Sequence, residues 1–326
     1  IYVFDTQDKP YFYLVNARTP FINQNYDNRY IVVGICSPST LGYSRQNDFL
    51  PVPKTVAKDK CYRGHNGYSD SLCLFIKNEL MPYVNSHYRT TGHTLAVGHS
   101  LGASFILESM IHHELFSDYI AVSPNLAYDK DRVAEDLMEY DYSKISASRY
   151  LFITNSSEEK IHGWENWKPA REKLYQFYQK KTLPANLTYR QKSYPEYDHM
   201  SCFPYALRDG LMGYLQYCDS LDRYLSKNTY KVHIEVKIPD AADDVYVTGN
   251  QKVLGDWNPG KIKMDHVSDT IRSIDVDLHY PALLKFTRGS WQTEGFIGNS
   301  TIGGNQRIES PDRHDYQFII AGWSDR

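Results

Sequence analysis

Short, mostly apolar runs recur along the first two thirds of the chain. They lie at residues 1–4, 30–35, 94–97, 119–122 and 150–153. Continuous apolar runs of this length are typical of parallel strands that are buried on both faces. The pattern therefore predicts a buried parallel sheet in this part of the chain.

Segments with helical spacing separate these runs. Phe75, Ile76 and Leu80 recur at that spacing, and Pro82 is expected near the end of their helix. Another amphipathic helix is predicted over residues 167–181. Because strands and helices alternate, the predicted fold class is α/β, a three-layer fold with a mostly parallel sheet between helices.

Beyond about residue 225, apolar residues recur at every second position, which is the spacing of strands with one exposed face. Apolar and polar residues alternate in the segments 232–238 and 274–278. Turns rich in Gly, Asn and Pro separate the runs, which predicts a small antiparallel β-sandwich. The polar segment 226–229 marks the boundary, so we predict one domain over residues 1–225 and a second over residues 226–326.

The composition narrows the class of protein. The 326 residues are 41% hydrophobic and 23% charged, with a net charge of −3, which are the proportions of a globular protein. Nucleic acid is not expected as a partner, because a phosphate-binding surface needs an excess of basic residues. No apolar run approaches the ~18 residues of a membrane helix, so no membrane span is predicted.

The sharpest chemical signal is the sequence Gly98-His99-Ser100-Leu101-Gly102, a G-x-S-x-G motif between a predicted strand and a predicted helix. Glycines flank the serine because a nucleophile on a strained turn leaves little room for neighbouring side chains. We predict Ser100 as the nucleophile and the backbone N–H of Leu101 as an oxyanion donor. The second donor is expected in the loop after the first strand, near Thr6 or Gln7.

An activated serine needs a base, and the order expected for this motif is serine, acid, histidine. Four histidines follow Ser100 within the first domain: His112, His113, His162 and His199. The first two lie on the predicted helix after the nucleophile, and His162 lies in a charged loop. His199 lies on a loop between a predicted strand and a predicted helix, so we predict it as the base.

The acid that orients this base is expected just past the strand at residues 150–154. Glu158, Glu159 and Glu165 are the candidates, and we predict Glu158 first. Asp198 ranks last because adjacent residues of one loop rarely orient one another.

Several stretches of residues 1–218 resemble the putative esterase family of α/β-hydrolases, which includes esterase D, enterochelin-type siderophore esterases and feruloyl esterases. The matching stretches are residues 30–35 with Arg45 and Asp48, 79–82, 98–102, 120–124 and 198–199. The resemblance implies a serine esterase with Ser100 and His199 in the family's catalytic positions. The acid matches more loosely, since Asn155-Ser156-Ser157-Glu158 stands where the family often has Gly-x-x-Glu. The family's first strands have no counterpart, so an N-terminally incomplete domain is expected.

The C-terminal part resembles the starch- and glycogen-binding β-sandwich modules. The resemblance rests on residues 245–250, on Leu254-Gly255-Asp256-Trp257 and on residues 284–286 with Trp291. In such modules, exposed tryptophans stack on glucose rings. The resemblance implies Trp257 and Trp291 as carbohydrate-binding residues; the alternative for each is a structural tryptophan.

These observations together predict a serine esterase that hydrolyses a carboxylic ester on a carbohydrate or carbohydrate-linked substrate, with glucan binding by the second domain. The alternatives are a siderophore or other small-molecule esterase, and a glycan-binding protein with an inactive hydrolase domain. No cofactor is expected and no metal, since His112-His113-Glu114 lacks the i, i+4 spacing of zinc-binding histidines. A periplasmic or extracellular location is expected from a module that binds polymers.

Overall fold

The computed structural model describes residues 1–22, 30–37, 44–55, 67–88, 90–221, 225–226, 228–298, 304–309 and 312–326. The chain forms two compact units, Ile1–Leu221 and Asp222–Arg326. The division falls just before the polar segment 226–229.

The first unit alternates strands and helices, as its apolar pattern predicts. Its strands are β1 (Tyr2–Val3), β2 (Val33–Gly34), β3 (Leu95–His99), β4 (Asp118–Val122), β5 (Arg149–Asn155) and β6 (Leu187–Ser193). Its helices are α1 (Lys9–Ile22), α2 (Ser44–Phe49), α3 (Ser69–Phe75), α4 (Met81–His87), α5 (Leu101–His113), α6 (Tyr128–Glu139), α7 (Trp167–Lys180) and α8 (Phe203–Ser220).

All neighbouring strands of the first unit's sheet are parallel, in the order β2-β1-β3-β4-β5-β6. The strand residues alternate between two cores. Ala96 of β3 packs in a core with α5, α6 and α7, whereas its neighbours Leu95 and Val97 pack in a core with α1 and α8. A sheet covered by helices on both faces is the three-layer α/β arrangement predicted from the sequence.

Two local predictions are wrong. Residues 30–35 form only the short strand β2 at the end of the described sheet, where Val33 is half-buried and Gly34 exposed rather than buried on both faces. Pro82 does not end its helix. It lies in the first turn of α4, which continues from α3 through a π-helical turn at Ile76–Leu80. The π-helical turn just before Pro82, where the Met81 N–H donates to the Ile76 carbonyl, is the local irregularity that accommodates a residue without an N–H in a continuing helix.

The second unit is built from strands packed as two sheets around one core. The five-stranded sheet has the order β10 (Asp265–Ser268), β11 (Ile271–Leu278), β7 (Tyr230–Lys237), β15 (Asp315–Trp323), β13 (Gly295–Ile297). The four-stranded sheet has the order β14 (Gln306–Ile308), β12 (Ala282–Thr287), β8 (Tyr246–Gly249), β9 (Ile262–Lys263).

Pairing in this β-rich unit is antiparallel, as predicted, with one departure. β15 runs parallel to β7. The core contains Val232 and Ile234 from one sheet and Leu284 and Phe286 from the other, which gives the two-layer packing of a sandwich.

Among the described residues, none of the helices has the length and apolar character needed to cross a membrane.

Candidate active site

Ser100 occupies a strained turn between β3 and α5. Its φ is 57° and its ψ is −121°, a conformation that residues other than glycine rarely adopt. A Cβ on Gly98 would lie 2.4 Å from the Gly102 carbonyl oxygen, and one on Gly102 would lie 2.9 Å from Asp5 Oδ2. Gly98 is therefore required by close approach of the backbone, and Gly102 by close approach of the Asp5 and Phe4 side chains. The turn presents a serine hydroxyl at the carboxyl end of the central strands.

His199 lies in the loop between β6 and α8 and is buried. Its ring contacts three others. The centroid of the His99 ring is 4.5 Å away, and the rings of Trp164 and Trp167 meet it edge-on at 4.8 and 5.5 Å. The two indoles are themselves stacked at 4.4 Å. This packing holds the imidazole beside the residue that precedes Ser100.

Glu158 follows β5 in a short 3-10 turn and is only 1% exposed. Its Oε1 accepts hydrogen bonds from the N–H and hydroxyl of Ser156, both at 2.8 Å, and lies 3.7 Å from Nδ1 of His199. Its Oε2 accepts a hydrogen bond from Arg171 at 3.0 Å. The carboxylate is therefore fixed on the Nδ1 side of the imidazole.

The other two glutamates lie elsewhere. Glu159 pairs with Arg171 at 3.3 Å, and its side chain is 28% exposed. Glu165 is exposed and accepts a hydrogen bond from the N–H of Gly163. Of the three predicted acids, Glu158 is the one that the structure brings to His199.

The remaining histidines and Asp198 are apart from this group. Asp198 accepts hydrogen bonds from the N–H groups of Met200 and Ser201, which stabilise the turn after it. His162 is fully exposed, and His113 pairs with Asp70 at the end of α5.

Within the described residues, no hydrogen bond joins the Ser100 hydroxyl to the His199 ring. Catalytic hydrogen bonds are often long before substrate binds and tighten in the complex. Ser100 and His199 are nevertheless linked through His99, since Nε2 of His99 lies 2.7 Å from the His199 carbonyl oxygen.

Burial and hydrogen bonding act in opposite directions on Glu158. Burial raises the pKa of this carboxyl, but interactions with His199, Ser123 and Ser156 outweigh it and lower the pKa from its ordinary value of 4.5 to about 2. The carboxylate therefore stays ionised at neutral pH and is available to pair with a protonated imidazole.

This shift predicts a specific acid sensitivity. Because the pKa of Glu158 is lower in the folded state, its ionised form stabilises the fold above about pH 4.5, and this contribution is lost as the pH falls toward about 2. We expect the wild-type melting temperature to fall more steeply than that of Glu158→Gln across this window, measured by thermal unfolding at each pH. Parallel curves for the two proteins would contradict the shift.

The two predicted oxyanion donors differ in their hydrogen bonding. Leu101 is the first residue of α5, where N–H groups have no intrahelical acceptor. The Thr6 N–H, in contrast, donates to the Ile35 carbonyl at 3.1 Å. This hydrogen bond argues against Thr6. Among the described residues no acceptor is bonded to the Gln7 N–H, so Gln7, the alternative, is the proposed second donor.

An ion pair that sequence reasoning missed holds this loop. Asp5 has a φ of 62° and is buried, and its carboxylate receives Arg45 through Nε at 2.5 Å and Nη2 at 2.8 Å. The same carboxylate faces Gly102 and accepts a hydrogen bond from the Gln7 side chain. A bidentate pair of this kind fixes geometry as well as charge. It ties the loop after β1 to α2, with the Asp5 carboxylate facing the first turn of α5.

Among the described residues, the atoms of Glu108, His112 and Asp136 lie within 4.8 Å of one another and could hold a metal ion. Arg132 and Lys54 already pair with Asp136, at 3.2 and 3.5 Å. Both cations pair with Asp136, whereas Glu108 lies 3.4 Å from His112 through Oε2 and keeps a buried Oε1 without a hydrogen-bond partner among the described residues.

The two predicted carbohydrate-binding tryptophans lie near contacting loops of the second unit. Trp257 is partly buried with a φ of 58°, and Trp291 is 42% exposed. The loop after Trp257 meets the one before Trp291, because the Thr287 hydroxyl donates to the Pro259 carbonyl at 2.5 Å.

The parallel sheet and the strained Ser100 turn define an α/β-hydrolase. Residues 1–187, more than half of the chain, match the putative esterase family, and the chain belongs to that family. It is an esterase-type hydrolase, and its first unit has the fold that the sequence resemblance implies. None of the curated proteins matches the chain.

Many solved structures match this chain, among them two with a similar fold. One is an IroE-like serine hydrolase from Shewanella oneidensis, with a TM-score of 0.56 and 25% identity over 66% of this chain and 69% of that chain. The other is the BES protein from Bacillus cereus, with a TM-score of 0.51 and 20% identity over 65% of this chain and 80% of that one.

Proposed function

We propose that this chain is a serine esterase that hydrolyses a carboxylic ester with Ser100 as nucleophile, His199 as base and Glu158 as the orienting acid. The observation that carries the proposal is the strained Ser100 turn with the buried His199 and the ionised Glu158 beside it. Family membership and the similarity to a serine hydrolase support the same reaction class.

The geometry supports a separate catalytic role for each of these residues. Glu158 lies on the Nδ1 side of His199, which leaves Nε2 to take the proton of the Ser100 hydroxyl as its oxygen attacks the ester carbonyl. The oxyanion that forms accepts hydrogen bonds from the N–H groups of Leu101 and Gln7. His199 then returns the proton to the leaving alcohol, and water hydrolyses the acyl-enzyme by the same steps in reverse order.

A fluorophosphonate label tests the proposal directly. Such a reagent phosphonylates activated serines, so we expect one labelled residue, Ser100, by peptide mass spectrometry. Labelling should be slowed when an excess of an ester substrate is present during the reaction. No labelling of the folded protein, or labelling at another serine, would contradict the proposed nucleophile.

The substrate that we propose is an ester on a carbohydrate or a carbohydrate-linked molecule. This part rests on the second unit, where Trp257 and the exposed Trp291 lie near contacting loops. An indole face stacks on the apolar face of a sugar ring, and exposed neighbours such as Asn258 and Gln292 can bind hydroxyl groups. A protein that acts on such polymers fits a periplasmic or extracellular location.

Glucan binding by the second unit predicts slower migration of the whole protein through a native gel that contains soluble starch or glycogen. Trp257→Ala and Trp291→Ala should each abolish the retardation, which reports a site with a dissociation constant on the order of micromolar to millimolar. The buried Trp323 offers no matched control, because its indole N–H donates to Asp243 inside the core.

The control for this experiment is thermal unfolding of each variant. Retardation lost together with folding would mean that the tryptophan is structural. Unretarded wild-type protein would favour the alternative, a siderophore or other small-molecule ester as substrate. A glycan-binding protein with an inactive hydrolase unit would instead show retardation without any fluorophosphonate labelling.

A further inference from the structure

His99, the residue before Ser100, lies between the nucleophile turn and the loop of the base. It is 2% exposed, and both of its ring nitrogens have partners. Nε2 lies 2.7 Å from the carbonyl oxygen of His199, and Nδ1 lies 2.8 Å from the hydroxyl oxygen of Tyr11.

These partners define which nitrogen carries the hydrogen. A carbonyl oxygen only accepts, so Nε2 of His99 donates to His199, and Nδ1 of the neutral ring accepts from the Tyr11 hydroxyl. Burial, followed by the neighbouring His199, lowers the pKa of His99 to about 3. The ring is therefore neutral at working pH and has a single hydrogen-bonding arrangement.

In the part of the chain that the structure describes, the His199 carbonyl has one other side-chain donor. The Cys202 thiol lies 3.3 Å from the same carbonyl oxygen, and a thiol is a weak donor. The imidazole of His199 itself lies 3.7 Å from Glu158, beyond hydrogen-bond distance. Among the described residues, the short hydrogen bond from His99 is therefore the strongest polar contact that positions His199.

We propose that His99 is a positioning residue, which fixes the backbone of His199 through its Nε2–H and so sets the base relative to the adjacent Ser100. The inference rests on the proposed function, because it needs Ser100 and His199 in their catalytic roles. His99 then connects the nucleophile and the base, through the peptide bond to Ser100 and the hydrogen bond to His199. Displacement of a catalytic group by about 1 Å can cost ~10²-fold in rate.

The competing explanation is that His99 only fills space. Its ring packs against Tyr11 and Phe203, both with centroids 5.5 Å away. A space-filling ring would tolerate any side chain of similar volume. The two explanations therefore differ in whether the nitrogen at the Nε2 position matters.

Two amide substitutions separate these explanations. The amide nitrogen of His99→Gln can reach the place of Nε2, whereas that of His99→Asn reaches only the place of Nδ1. We expect His99→Asn to lower kcat on p-nitrophenyl acetate by ~10- to 100-fold, with KM within about twofold of wild type. His99→Gln should recover kcat to within about fivefold of wild type. His113→Asn serves as the control, because His113 is a half-buried histidine on α5 that pairs with Asp70 and not with the site.

Equal loss of kcat in the Asn and Gln variants, or a rise in KM at unchanged kcat, would overturn the proposal.

An independent measurement uses the wild-type protein. Nitrogen-15 NMR of the histidine rings should find His99 neutral, with its hydrogen on Nε2, from about pH 5 to 8. A hydrogen on Nδ1 would also overturn the proposal, even if the variants failed to fold.

Failure of the proposed function gives a different result. In that case the wild type and Ser100→Ala would have the same activity, whatever the His99 variants do. If Ser100→Ala is inactive and His99→Asn keeps full kcat, only the role of His99 is wrong.

Discussion

Replacement of Ser100 by alanine is expected to lower the rate of p-nitrophenyl acetate hydrolysis by ~10³-fold or more. The hydroxyl oxygen forms the covalent bond to the acyl group, and neither His199 nor the oxyanion donors can substitute for it. The variant should unfold at nearly the same temperature as the wild type, because within the described residues the Ser100 hydroxyl makes no hydrogen bond to His199. Steady-state kinetics and thermal unfolding measure the two effects.

Ser109→Ala is the matched control. Ser109 is buried on α5, the helix that follows Ser100, and its hydroxyl donates to the carbonyl of Ile106 at 2.8 Å, within that helix. It should retain hydrolysis and fluorophosphonate labelling. Activity of Ser100→Ala equal to that of the control would end the assignment of the nucleophile.

The position of Ser100 could be predicted because its requirements are local. The strained turn at Ser100 leaves no room for a Cβ on Gly98 or Gly102, and both glycines are visible in the sequence. The base could be predicted from chain order, since His199 follows the last strand of the sheet. Neither inference needed a long-range contact.

The acid needed the folded structure. Glu158 and Glu159 are consecutive, so no sequence pattern distinguishes them. In the fold, the 3-10 turn directs one inward toward Ser156 and His199 and leaves the other partly exposed beside Arg171. His99 escaped prediction for a related reason. The residue before the serine in the motif can be of any type, and its partner lies 100 residues away.

The fold, like the site, could be predicted from the sequence only where it depends on local patterns. The alternation of apolar and polar residues predicted strands in the second unit. The parallel pairing of β7 with β15 joins the first and last strands of that unit, and no local sequence pattern indicates it. The apolar run at residues 30–35 predicted a strand buried on both faces, yet β2 pairs only with β1 among the described strands. The spacing of apolar residues indicates whether a segment can form a buried strand. The position of that strand in the sheet depends on strands that are far away in the sequence.

Glu158→Gln is expected to lower kcat by about 10²-fold or more, with a smaller change in KM. The substitution keeps the shape of the side chain and removes the charge that stabilises the imidazolium formed in the transition state. Glu159→Gln is the matched control, because Glu159 contacts the same Arg171 but not His199. Its kcat should stay within about threefold of wild type, and Glu165→Gln should behave likewise.

The comparison of Glu158→Gln with Glu159→Gln also separates catalysis from structure, since loss of an Arg171 partner is common to both. A larger kcat loss in Glu159→Gln would move the acid by one residue. If all three glutamine variants kept wild-type kcat, the catalytic group would reduce to Ser100 and His199. The hydrogen bond from His99 to the His199 backbone would then be the main contact that orients the base. In that case His99→Asn should lower kcat more than any of the three glutamine substitutions.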